Sequence, residues 1–171
     1  MLAVTHIIHN AWPVNFNRRL SSFEPHVKAV VNLVRLSILS AGMRPEGSAP
    51  TRLIFTSSIA VAGRFPDLNP NGPLEIPEAP LPAANSANFG YAEAKWVCEE
   101  LLVVAQELYG GSSEEEPLLC GSNVRIGQMT GPEGSGAWNE SEHFPMIVQS
   151  SRTLNALPVI DGVCHLIAAF F

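Results

Sequence analysis

The chain has 171 residues, enough to bury one substantial core, and 46% of them are hydrophobic, which excludes disorder throughout. Its formal charge is −6, and its ten Lys and Arg residues are scattered. That balance argues against nucleic acid or an anionic membrane as the main partner, since both call for a basic face.

In chain order, Val4 to His9 is short, β-branched and almost wholly apolar. It is read as a buried strand of a parallel sheet. From Ser22 to Ser40, apolar residues at Phe23, Val27, Val30, Val31, Val34, Ile38 and Leu39 follow helical spacing. Ser21 or Ser22 is the expected N-cap, and Gly42 and Pro45 close the helix. Arg52 to Ser57 is a second strand, running into a turn of small residues from Ser58 to Gly63. Arg64 to Asn88, rich in Pro and Asn, is a long loop of the kind that is functional or disordered. Phe89 to Tyr109 is a strong helix stopped by Gly110-Gly111. Asn123 to Gln128 is a third strand, Thr130 to Gly136 a loop and Glu142 to Leu154 a third helix. The order β-α-β-loop-α-β predicts an α/β chain, a partial Rossmann-like doubly wound parallel sheet. Ligands of such sheets lie beyond the carboxyl ends of the strands, which here are His9-Asn10-Ala11, Ser57-Ser58 and Ile126-Gly127-Gln128.

Cys98, Cys120 and Cys164 are odd in number and far apart, so neither a zinc finger nor a disulfide framework is expected. His6 and His9, three apart on a strand, point to opposite faces, and no metal site is expected. Met1 to Asn10 lacks the basic end and apolar run of a signal peptide, and Val159 to Phe171 is too short to span a bilayer. The expectation is a soluble cytoplasmic protein.

The chemistry concentrates in Tyr91-Ala92-Glu93-Ala94-Lys95. A four-residue step stacks Tyr91 and Lys95 on one helix face, where an ammonium favours the phenolate and lowers the tyrosine pKa toward neutrality. Tyr and Lys at this spacing are also common on ordinary helices. Context adds weight, because Ser58 ends a hydrophobic strand that the β-loop-α order brings to the same sheet edge as Tyr91. A hydroxyl there can hold the carbonyl that Tyr91 protonates.

Phe55-Thr56-Ser57-Ser58-Ile59-Ala60-Val61-Ala62-Gly63 followed by Gly90-Tyr91-Ala92-Glu93-Ala94-Lys95 resembles the extended short-chain dehydrogenase/reductase superfamily. Thr5 to Phe16, Val124 to Gly131 and Gly136 to Asn139 are similar to its thioester-reductase branch, the male-sterility-like domain of fungal nonribosomal-peptide-synthetase-like enzymes and aminoadipate reductases. The resemblance covers about residues 2 to 158. It implies NADPH, or NAD, as hydride donor and an acyl-carrier-protein thioester as substrate, reduced to an aldehyde or alcohol. It also implies that Ser58, Tyr91 and Lys95 form the catalytic set. Asn10, Ala11, Ser57, Ile126, Gly127 and Gln128 join Tyr91 and Lys95 at the cofactor, with Trp138 near the substrate mouth. A plain packing role for Trp138 stays equally open.

Two departures stand beside the resemblance. The Gly-rich loop that opens the family's first βαβ unit, and cradles pyrophosphate at a helix N-terminus, has no counterpart. Residues 1–158 are therefore expected to be the C-terminal part of a Rossmann-type reductase domain without its first strands, followed by a divergent tail, 159–171. His26 also stands where many extended members carry a proton-relay Asn. The competing readings are a nucleotide-sugar epimerase, a small-ketone reductase, or a truncated product without activity.

Overall fold

The computed structural model describes residues 4–72, 75–112, 116–132, 134–159 and, as backbone, 166–169. The chain divides into two compact units, Met1–Arg125 and Ile126–Phe171.

The first unit is built on a three-stranded parallel sheet with strand order β1-β2-β3, where β1 is His6–His9, β2 is Thr51–Ser58 and β3 is Leu119–Ile126. The register of β1 against β2 runs from His6 opposite Arg52 to His9 opposite Phe55. Helix α1, Glu24–Gly42, connects β1 to β2. The short helix α2, Phe65–Leu68, and the long helix α3, Gly90–Tyr109, lie between β2 and β3. This is the β-α-β-loop-α-β order that the periodicities predict, except that α2 opens the stretch read as loop.

Period-two alternation decides which face of β2 is buried. Thr51, Leu53, Phe55 and Ser57 are buried, whereas Arg52 is exposed. Leu53 and Phe55 form the main core with Val30 of α1, with Cys98, Leu102 and Ala105 of α3, and with Leu119 of β3. Both long helices therefore cover one face of the sheet and pack on each other. Each large apolar side chain sealed here contributes roughly 1.5–3 kcal/mol.

Four sequence expectations change. The first strand is not buried. Among the described residues β1 pairs only with β2, and Ile8 is 69% exposed. Neither Ser21 nor Ser22 caps α1, because a 3-10 turn, Leu20–Phe23, leads directly into it and Phe23 occupies the cap position. The third strand starts earlier than its β-branched residues suggest. Leu119 is fully buried in the core, and the Thr51 N–H donates to the Leu118 carbonyl at 3.2 Å. It also ends at Ile126.

The fourth change is in the second unit. Gln128–Pro132, within a stretch read partly as loop, is a strand, β4, which pairs in parallel with β5, Leu166–Ala169. Helix α4, His143–Leu154, agrees with the predicted third helix. It ends on Asn155 in the left-handed conformation (φ 49°), a residue type that tolerates that geometry at a helix end. The proposed tail, 159–171, and Cys164 within it, lie largely outside the described residues. Among the described residues no helix is long and apolar enough to cross a membrane.

Candidate active site

The carboxyl end of β2 and the first three turns of α3 converge, and Gly90 sets how closely. A Cβ at that position would lie 2.5 Å from both the Arg18 carbonyl oxygen and the Arg19 carbonyl carbon. Only glycine lets the start of α3 lie against that backbone. Tyr91 follows directly, and Lys95 and Glu99 come at steps of four along the same helical face.

Each of the last three residues of β2 meets one of these side chains. The Ser58 hydroxyl lies near enough to the Tyr91 phenol to favour its ionised form. It is oriented by its own turn, since Ser58 caps the 3-10 segment Ile59–Ala62 and its Oγ accepts the Ala60 N–H at 3.2 Å. Lys95 Nζ donates to the Thr56 carbonyl at 2.5 Å. The Ser57 hydroxyl donates to Glu99 Oε1 at 2.5 Å.

Lys95 is 2% exposed. Its ammonium sits 4.4 Å from the Trp12 ring centroid, 4.6 Å from that of Phe55 and 5.8 Å from that of Tyr91, where the ring quadrupoles offset part of the lost hydration. Burial lowers its pKa from 10.5 to about 8, with Cys98 and Glu99 pulling in the opposite direction.

Tyr91 departs from its expected direction. Burial raises the phenol above its ordinary value of 10.0, and the Ser58 hydroxyl opposes the rise. Desolvation wins because the phenol sits among Phe16, Phe23 and Phe89, with ring centroids 5.1 to 6.3 Å away.

His26 of α1 packs into this aromatic group, 5.4 Å from Trp12 and 6.2 Å from Phe23. His9 stacks on Phe55 at 5.7 Å, and its pKa is lowered by burial and by the nearby Lys95 and His26. Asn10 and Ala11 are exposed just beyond β1. Ser57 is buried, and its hydroxyl is committed to Glu99.

Ile126 ends β3, Gly127 separates the strands, and Gln128 opens β4. Within the second unit, Gln128 Nε2 and Trp138 Nε1 both donate to Glu142 Oε2 at 3.0 Å, and Trp138 stacks on Phe144 at 5.9 Å. The sequence reading did not single out Glu142, Glu99 or Arg125. For Glu99 a signal existed, because it continues the four-residue step of Tyr91 and Lys95. Among the described residues no group of three His, Cys, Asp or Glu side chains could hold a metal ion.

His9 Nε2 and Trp12 Nε1, both beside Lys95, are buried without a hydrogen-bond partner among the described residues. With the Tyr91 hydroxyl and the Lys95 ammonium they form a polar set suited to a ribose and carboxamide. The turn after β1, Asn10 to Phe23, contains no glycine, so it offers no pyrophosphate cradle of the usual kind. The residues fit the nicotinamide-riboside end of a nicotinamide cofactor once the Trp12 indole moves off the Lys95 ammonium.

No protein-family model matches the chain. An adenylate-forming reductase of Aspergillus terreus is 38% identical over 165 residues, 96% of this chain and 14% of that protein. The adenylate-forming reductase Nps10 of Heterobasidion annosum is 42% identical over 161 residues, covering 94% of the chain and 13% of the relative. The non-canonical non-ribosomal peptide synthetase ascB of Acremonium egyptiacum is 39% identical over 162 residues, with 93% and 13% covered. Among solved structures, the PhqB reductase domain from Penicillium fellutanum superposes with a TM-score of 0.56 at 18% identity. The match covers 90% of this chain and 32% of that one. The chain is thus a homologue of one segment of the fungal adenylate-forming reductases and their relatives among the peptide and polyketide synthases, with a fold like that of a reductase domain.

Proposed function

We propose that this chain carries the proton-donating half of a nicotinamide-dependent reductase site, acting on an acyl group held as a thioester on a carrier protein. The single observation that carries the reading is the convergence of Ser58, at the carboxyl end of β2, with Tyr91 and the buried Lys95 of α3, where burial raises the phenol's pKa further above neutrality. An acid that must give up its proton during a reduction is of use only if it still holds that proton at neutral pH.

NADPH is the proposed hydride donor, and when bound it supplies hydride to the thioester carbonyl carbon. Ser58 donates a hydrogen bond to the carbonyl oxygen and favours the negative charge that develops there. Tyr91 delivers its phenolic proton to the same oxygen. The hemithioacetal hydroxyl then gives up its proton as the C–S bond breaks, and the departing sulfur takes up a proton, leaving an aldehyde and the carrier thiol. Lys95 would hold the ribose, a contact that requires the Trp12 indole to shift from its place over the ammonium. Asn10, Ala11, Ile126, Gly127 and Gln128 are the remaining proposed cofactor contacts, and Trp138 the proposed substrate contact. The phosphopantetheinyl arm of an acyl carrier protein is the matching partner.

The test is NADPH binding to the purified chain, followed by nicotinamide fluorescence and calorimetry, with circular dichroism as the check on folding. Saturable binding, with turnover of an acyl thioester that Tyr91→Phe abolishes, supports the reading. A folded chain that ignores millimolar NADPH overturns it for this polypeptide and leaves the side-chain constellation without an activity.

A further inference from the structure

Glu99 is 3% exposed, yet it is fully paired. Arg125 Nε lies 3.1 Å from each carboxylate oxygen, and its NH2 lies 2.7 Å from Oε2. The Ser57 hydroxyl completes the shell. The same guanidinium reaches the Pro77 carbonyl at 3.5 Å and the Ala79 carbonyl at 3.1 Å. That stretch of loop walls a cavity of about 630 Å³, shared with Ile59 and Ala62 of the turn after Ser58. One carboxylate on α3 therefore joins three separately folded segments: the end of β2, the end of β3 and the loop over the cavity.

A buried ion pair adds little net stability, since apolar residues of equal volume do as well or better. What this pair adds is position. Ser57 and Ser58 are consecutive, so the carboxylate that fixes the Ser57 hydroxyl also fixes the backbone from which Ser58 reaches Tyr91. Glu99 and Tyr91 share one helix, so the strand and the helix are registered against each other at both ends of a two-turn stretch.

We propose that Glu99, clamped by Arg125, is the positioning residue that sets the placement of Ser58 against Tyr91 and holds the 77–79 loop over the neighbouring cavity. The proposal rests on the reductase reading for its purpose, but its test needs neither cofactor nor substrate.

The chain has two tyrosines, Tyr91 and Tyr109. In a Tyr109→Phe background, absorbance near the tyrosinate maximum followed against pH reads Tyr91 alone. Glu99→Asp keeps the charge and removes one methylene of reach. Arg125→Lys keeps the charge and removes the fork. Both are expected to make Tyr91 a weaker acid by about three- to tenfold, the effect of losing one modest polar contact. Leu102→Val is the control for mere destabilisation, since it loosens the core under α3 without touching β2's serines, and it leaves the Tyr91 midpoint where it was. An unchanged midpoint in whichever of Glu99→Asp and Arg125→Lys folds by circular dichroism overturns the proposal, and so does an equal shift in Leu102→Val. If the parent chain fails to bind NADPH while the Glu99 and Arg125 variants still move Tyr91, the reductase reading falls and the coupling stands.

Discussion

The hydroxyl of Ser58 and the phenol of Tyr91 meet at the carboxyl end of the sheet, with the serine held by the Ala60 N–H and the phenol enclosed by aromatic rings. Removing either partner has a distinct signature. Tyr91→Phe is expected to lower reductase turnover by about 10²–10⁴-fold, the usual contribution of a positioned acid, with cofactor binding retained. Ser58→Ala is expected to raise the Tyr91 pKa further, because the one influence that opposes burial is lost. Steady-state kinetics checks the first expectation, and a pH titration of tyrosine absorbance checks the second.

Lys95 gives the chain a pH signature of its own. The folded ammonium releases its proton near pH 8, the unfolded one near 10.5. Between those limits the unfolded chain binds more protons, so the lysine's contribution to stability rises with pH, and its cost is fully present below about pH 8. Cys98 acts in the opposite sense. Its thiol is pushed up from 9.0 to about 12, so the folded chain holds the extra proton above pH 9 and stability falls. Tyr91, also raised, adds to that fall above pH 10. Thermal melts should therefore show Tm climbing from pH 8 to 9 and then levelling or declining. Lys95→Met should remove the climb and hold or raise Tm at pH 7. A variant that keeps the parent's climb would show that Lys95 is not its source.

Gly90 is the position where one methyl group matters most. Gly90→Ala puts a Cβ against the Arg18 and Arg19 backbone, and rigid backbone cannot yield as a side-chain tip can. The expected loss is about 1–3 kcal/mol in urea unfolding, the range for overpacking. Tyr91 fluorescence or titration should shift as well, since the helix start must lift.

Leu102 is 1% exposed and lies between α1, β2 and β3 in the main core. Leu102→Ala is expected to cost about 2–5 kcal/mol. For a unit of this size that is a large part of the whole stability. A loss below about 1 kcal/mol in denaturant melts would mean that the core closes around the deletion.

Long periodic segments were readable from the sequence. α3 was expected from Phe89 to Tyr109 and runs Gly90–Tyr109, because its apolar spacing and its Gly110-Gly111 stop are both local signals. The meeting of Ser58 with Tyr91 was readable too, from strand and helix order. The pairing of β4 with β5 was not, since it joins a Gly- and Pro-containing stretch to residues more than thirty positions away, and no local pattern encodes a partner at that distance. The exposure of β1 was missed for a related reason. Composition sets whether a strand is apolar, and only its neighbours set whether it is covered. The direction of the Tyr91 pKa was missed because spacing shows that an ammonium is near but not how many rings surround the phenol. Arg125 was missed because its partner, Glu99, is met only after the chain has folded.

Lys28 and Lys95 are the two lysines of the chain. Lys28 stands in solvent, paired with Glu24 at 2.6 Å and with 71% of its side chain exposed. Lys95 lies sealed under Trp12 and Phe55. An amine-reactive reagent therefore labels Lys28 at once and reaches Lys95 only when the cover over it opens, by a shift of the Trp12 indole or by α3 parting from the end of β2. The second labelling rate becomes a clock for the opening of the site, and slowing of that clock by a bound molecule would register occupancy without any turnover.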